Sequence, residues 1–128
     1  MKLNRLHHIA IICSDYEKSK KFYTEVLGFD IIREVFRQER NSHKLDLALN
    51  GTYMIELFSF PSPPPRVSSP EATGMRHLAF EVHQISEIVE ELVRKEIFVE
   101  PVRIDEHTGK RFTFIADPDG LPIEFYEK

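Results

Sequence analysis

LHHIAIIC, residues 6–13, is an apolar run of strand length interrupted only by paired histidines, and a counterpart returns as MRHLAFEV at residues 75–82. The first run reads as a strand buried on both faces. Behind it, Ser14-Asp15-Tyr16-Glu17 has capping-box form, with Ser14 as cap and Glu17 reaching back. Phe22, Tyr23, Val26 and Leu27 keep helical spacing, and Gly28 stands where a helix ends at positive φ. Three strands are expected next, at about 29–37, 44–50 and 53–60. The last two are joined by Asn50-Gly51, a strong short-hairpin signal. The first unit is therefore β-α-β-β-β.

Residues 61–70, PSPPPRVSSP, hold five of the eight prolines and so lack ladder donors; an extended linker is expected there. After it the order repeats. MRHLAFEV is a strand, and Ile85, Ile88, Val89, Leu92 and Val93 form a helical apolar stripe. Strands follow at 97–104, placed at an edge by Pro101, and at 110–116. The turn Asp117-Pro118-Asp119-Gly120 then leads into a last strand at 121–127. The reading is an α+β fold of two tandem βαβββ modules, module one at 5–60, a linker at 61–74 and module two at 75–128.

Composition narrows the function. The chain has 128 residues, 41% hydrophobic and 30% charged, enough for one domain with its own core. A formal net charge of -4 favours neither nucleic acid nor an anionic membrane as partner. No apolar run reaches membrane-spanning length and no signal-like start is present, so a cytoplasmic protein is expected. Cys13 is the single cysteine; it reads as a small buried hydrophobe at the end of a strand.

Within the repeat, each copy carries one His and one Glu. His8 and Glu56 are 48 residues apart, and His77 and Glu124 are 47 apart. Strand alternation puts His8 on the face of Ala10 and Ile12, and Glu56 with Met54, Phe58 and Phe60. A carboxylate among apolar companions is costly unless a cation or donor satisfies it. Two imidazoles and two carboxylates make a donor set for one divalent ion, Zn, Ni, Co, Mn or Fe, with no thiolate to favour a softer metal. His7, next to His8, is expected on the other side of its strand. His43, His83 and His107 fall in segments read as loop or helix entry and are expected to be solvated.

The pieces HHIAI, KSKKFYTEVLGF (18–29), MIELFSF, RHLAFEV and DPDGLPIE (117–124) together resemble the vicinal oxygen chelate superfamily, and within it the glyoxalase I-like (lactoylglutathione lyase-like) metalloenzymes. The resemblance covers essentially the whole chain. It implies that the paired modules form an open barrel-like cleft, and that His8, Glu56, His77 and Glu124 are metal positions. It implies a lyase or isomerase that stabilises an ene-diolate of a small α-hydroxycarbonyl or thiol adduct with a divalent ion. Glu56 and Glu124 are the candidates for proton transfer, Glu124 being the preferred base. Relatives commonly dimerise, so a homodimer is implied.

The likeness stops short of glutathione. Where glutathione-using members carry basic or polar residues, this chain has Ile12, Phe60 and Thr73. Other anion holders are Arg37 and Arg40, and Lys110-Arg111. Arg111 is preferred because its strand is expected beside that of Glu124, while Phe60 and the prolines after it are expected to line the cleft. The alternatives are another superfamily enzyme, an epimerase or a thiol transferase, or a small-molecule binding protein of the bleomycin-resistance kind. An epimerase and a thiol transferase each match less well at Glu56, and a binding protein generally lacks the four ligands.

Overall fold

Each half of the chain builds one four-stranded mixed sheet with a helix, an α+β arrangement repeated twice. The computed structural model describes residues 1–128, in two units, Met1–Pro65 and Arg66–Lys128. In unit 1 the strands are β1 (Ile9–Cys13), β2 (Asp30–Arg37), β3 (Ser42–Leu49) and β4 (Thr52–Ser59). Their order is β1-β4-β3-β2, with β1 parallel to β4 and the other pairs antiparallel. Unit 2 repeats this with β5 (Leu78–Val82), β6 (Arg103–Ile104), β7 (Arg111–Ala116) and β8 (Pro122–Glu127), in the order β5-β8-β7-β6.

One face of each sheet is core. Leu45, Leu47, Ile55 and Leu57 in unit 1, and Ile115, Ile123 and Phe125 in unit 2, are buried at alternate strand positions. Helix α1 (Tyr16–Lys21) packs on β4, and α2 (Ile85–Arg94) packs on β7 and β8. Residues at the intervening positions, Glu56 and Glu124 among them, therefore lie on the other face.

Local chemistry explains the ends of these elements and some departures from expectation. The cap of α1 is Asp15, one residue after Ser14; its Oδ1 accepts the Lys18 N–H at 3.2 Å. The helix then widens into a π turn over Phe22–Val26, where adjacent Phe22 and Tyr23 are both buried. Asn50 and Gly51 both take positive φ, 50° and 79°, as the tight hairpin between β3 and β4 requires. In unit 2 the Asp117 carboxylate accepts the N–H groups of Asp119 and Leu121, each at 2.9 Å, and so shapes the turn before β8.

Several strands are shorter than expected, and β5, expected from Met75, begins at Leu78. The first begins at Ile9 instead of Leu6, and it is buried on one face only: Ile11 and Cys13 are core, whereas Ile12 is 56% exposed. The segment expected as strand 97–104 is strand only at Arg103–Ile104. Pro101 has no N–H to donate, and the segment is tied to β7 by two separate bonds instead. Glu100 N–H donates to the Phe114 carbonyl at 3.0 Å, and the Thr113 hydroxyl donates to the Glu100 carbonyl at 2.7 Å.

Candidate metal-binding site

The sheet register builds the same frame twice. In unit 1, Ala10 of β1 and Asp46 of β3 flank Glu56 of β4. In unit 2, Ala79 of β5 and Phe114 of β7 flank Glu124 of β8. An alanine beside each carboxylate leaves room above the sheet, and the histidine two residues before that alanine reaches into it. His8 Nε2 stands 3.8 Å from Glu56 Oε2, and His77 Nε2 stands 3.1 Å from Glu124 Oε2. Both glutamates are half-buried.

These distances allow a test of metal fit. Two donors each about 2.1 Å from one ion, between a right angle and the tetrahedral angle, stand about 3.0–3.4 Å apart. The His77–Glu124 pair meets that spacing, and the His8–Glu56 pair is slightly wider. Imidazole nitrogen with carboxylate oxygen suits a borderline or hard divalent ion. Each unit thus brings together one imidazole and one carboxylate, a candidate two-donor half-site. No group of three or more His, Cys, Asp or Glu side chains placed to hold an ion is found.

The surroundings of the two half-sites differ. Around Glu56 lies a polar network. Tyr53 Oη donates to Glu56 Oε2 at 3.0 Å and is also 2.9 Å from Asp46 Oδ1. Lys44 Nζ donates to both Asp46 oxygens, at 2.9 and 3.1 Å, and lies 3.5 Å from Glu56 Oε2. Arg33 Nε is 3.5 Å from Asp46 Oδ2. Asp46 is only 2% exposed. Burial pushes its carboxyl pKa up, but the hydrogen bonds from Lys44 and Tyr53 and the nearby cations outweigh that and hold it below the usual carboxylate value. Burial, then bonding to Asp46 and Glu56, pushes the Tyr53 phenol well above its ordinary range. It stays a hydrogen-bond donor.

Around Glu124 the neighbours are aromatic. Phe114 occupies the place of Asp46, and the His77 ring meets it edge-on with centroids 5.3 Å apart. Phe112 occupies the place of Lys44 and stacks on Tyr126. A cavity of about 420 Å³ opens beside His77 and Glu124 within unit 2, lined in part by Arg66, Arg76, Arg103, Phe112 and Phe114.

The remaining candidates fall out as follows. Arg37 lies over the rings of Phe58 and Phe60, 4.9 and 6.0 Å from their centroids, and Arg40 lies 5.1 Å from Phe60. Arg37 Nη2 donates to Ser42 at 3.2 Å, while its buried Nε has no partner. Phe60 and Phe58 are stacked on the face of Glu56. Arg111 sits on the opposite face of β7 from Phe114, and its guanidinium is taken up by the Glu127 carboxylate, at 3.0 and 2.7 Å. Strand alternation puts it there, since 111 and 114 differ by an odd number.

Three histidine expectations can be compared with the structure. His7 is beside the first half-site: its Nδ1 is 2.8 Å from His8 Nδ1, and both rings contact Tyr53. Both histidines precede β1, so strand alternation governs neither. His43 lies within β3 and stacks on Tyr16 at 4.1 Å, instead of standing in a solvated loop. His83 and His107 are exposed, as expected. Lys44, Asp46 and Tyr53 were legible only as strand residues; the KLDL alternation is the signal that sets Lys44 and Asp46 on one face.

A family model, the Glyoxalase/Bleomycin resistance protein/Dioxygenase superfamily, matches residues 5–125. The chain belongs to this superfamily. Its vicinal oxygen chelate members include glyoxalase I and epimerases, and they typically bind a divalent metal and small-molecule substrates. This vicinal oxygen chelate chain is 62% identical over 128 residues to the uncharacterized protein YwkD of Bacillus subtilis (strain 168), covering 100% of both. It is 32% identical over 130 residues to the mitochondrial methylmalonyl-CoA epimerase of Mus musculus, covering 96% of this chain and 72% of that one. Among solved structures, a glyoxalase family protein from Enterococcus faecalis superposes with a TM-score of 0.92 at 47% identity, covering 99% of this chain and 100% of that one. The two four-stranded mixed sheets match the fold of the superfamily. No helix is long and apolar enough to cross a membrane.

Proposed function

We propose that this protein is a metal-dependent lyase or isomerase of the glyoxalase I type, working on a small α-hydroxycarbonyl compound or thiol adduct as a cytoplasmic homodimer. The observation that carries the reading is the recurrence of an imidazole–carboxylate pair at the same register position of both sheets. His8, Glu56, His77 and Glu124 are the metal set. A divalent ion held by them supplies positive charge to two neighbouring substrate oxygens.

The two glutamates take different roles. Tyr53 donates a hydrogen bond to Glu56 and the Lys44 ammonium lies beside it, which sets the side chain in one orientation. In unit 2 no tyrosine or lysine donor reaches Glu124, whose polar partner is His77. Glu124 is therefore the group free to take a proton from the carbon beside the carbonyl. The electron pair left behind moves into the carbonyl, the carboxylic acid returns the proton to the former carbonyl carbon, and the hydroxyl proton passes to the former carbonyl oxygen as the new carbonyl forms. The absence of basic residues at Ile12, Phe60 and Thr73 separates this site from a glutathione clamp.

A second reading rests on the 32% identity to methylmalonyl-CoA epimerase. The same glutamates would then exchange a proton on one carbon, from opposite sides. Both readings require Glu124 to move a proton. Solvent deuterium incorporation, screened with hemithioacetals against branched acyl-CoA esters in metal-loaded protein, separates them by which substrate exchanges. Glu124→Gln is expected to slow exchange about 10²–10⁴-fold while calorimetry shows divalent-metal binding retained. Undiminished exchange in that variant would remove Glu124 from the role, and failure of the native protein to bind any divalent ion would remove the whole reading.

A further inference from the structure

Three guanidinium groups line the cavity beside His77 and Glu124, and their commitments differ. Arg76 Nε is bound to the Glu71 carboxylate at 2.6 Å. Arg66 is held by neutral acceptors only, Ser68 Oγ at 2.7 Å and the carbonyls of Met75 and Arg76 at 3.3 Å. Arg103 has its nearest carboxylate, Glu100, at 3.7 Å, beyond hydrogen-bond length. What fixes Arg103 is stacking: its guanidinium carbon lies 5.0 Å from the centroid of Phe112 and 5.4 Å from that of Phe114.

That arrangement leaves the donors of Arg103 unspent while its plane is held. Phe114 is shared, since the His77 ring meets it edge-on. The candidate metal half-site and the guanidinium are thus set around one aromatic ring. Of the carboxylates on the cavity, Glu71 is taken up by Arg76 and Glu124 by His77, while the half-exposed Glu100 approaches Arg103 only to 3.7 Å. A planar donor array over an aromatic floor suits a bidentate oxyanion. A volume of about 420 Å³ is that of a small-molecule site.

We infer that Arg103, supported by Arg66, is the anchor for an oxyanion group, a carboxylate or a phosphate, carried by a small substrate whose reacting oxygens lie at His77 and Glu124. The inference rests on the proposed reaction only for what happens at the far end of that substrate. Anchoring by Arg103 is a property of unit 2 alone and is measured without metal.

The test titrates succinate and, separately, inorganic phosphate into the metal-free full-length protein, followed by calorimetry and by amide NMR shifts. The native protein is expected to saturate with at least one of them below about 10 mM, and the tighter one identifies the anchored group. Arg103→Met is expected to weaken that binding about tenfold or more. Arg103→Lys should recover part of the loss, and Arg111→Met, on the other face, should bind as the native protein does. Unchanged thermal melting of the Met variant shows that the fold is intact. Saturation by neither anion, or equal binding by Arg103→Met, overturns the inference. Zinc titration of the same variants is expected to be unaffected, so a failure of metal binding would strike the proposed reaction and leave the anchor standing.

Discussion

The floor beneath Glu56 and the floor beneath Glu124 are built on one frame with opposite chemistry. At matched register positions, unit 1 has Lys44 and Asp46 where unit 2 has Phe112 and Phe114. Duplicated backbone geometry therefore does not imply duplicated electrostatics. In unit 1 a buried carboxylate, a lysine and a tyrosine bond one another and brace Glu56. In unit 2 two rings carry His77 and Arg103 on their surfaces and leave Glu124 unbraced. A braced glutamate suits a fixed ligand, and an unbraced one suits a group that moves protons.

Three substitutions press on that contrast. The largest effect is expected from Phe114→Ala. It deletes a buried ring, at a cost of about 3–5 kcal/mol, and removes the floor shared by His77 and Arg103. Urea unfolding should show the loss, and anion binding should weaken with it. A loss well under 1 kcal/mol would mean that the ring is not the support described.

Asp46→Asn comes next. It leaves Arg33 without its counter-charge and Lys44 with Glu56 alone, at a cost of about 1–3 kcal/mol near neutral pH. The pH dependence has a definite sign. The native Asp46 pKa lies below its unfolded value, so its contribution is complete above about pH 4 and is lost as pH falls through the lower folded value. The stability gap between native and variant protein should therefore close on acidification. A gap that does not narrow at all on acidification would show that the charge is not its source.

The smallest effect belongs to Tyr53→Phe, which removes one hydroxyl shared by Asp46 and Glu56. About 1 kcal/mol of stability should be lost, with weaker divalent-metal binding and little change at the Arg103 cavity. An unaltered metal titration would show that Tyr53 does not position Glu56.

The four candidate residues were legible before any fold was built, because their signals are chemical and local. His8 and His77 stand in matching apolar runs, and Glu56 and Glu124 close matching strands; alternation alone puts each carboxylate opposite the core face. Asn50-Gly51 and Asp117-Pro118-Asp119-Gly120 declare their turns through backbone conformations few other residues adopt. Other features were not legible. The place of His7 beside Tyr53 is one, because β1 begins only at Ile9 and alternation does not reach back to 7 or 8. The composition of 97–104 suits a strand, yet Pro101 limits it to Arg103–Ile104, and the pairing of Arg103 with Phe112 is what presents Arg103 to Phe112 and Phe114. Arg111 was favoured because its strand neighbours that of Glu124; a step of three residues along the strand sends it to the opposite face.

By itself, then, the sequence determined the repeated βαβββ order and the matched spacing of the two His–Glu pairs, since each depends on residue type and short-range spacing. Only the tertiary structure decided that Asp46 and Phe114 lie at matched places beside the two glutamates, and that Arg103 instead of Arg111 lines the cavity by His77. Those facts depend on cross-strand register, which is set by the packing of strands far apart in the chain and not by any one strand's residues.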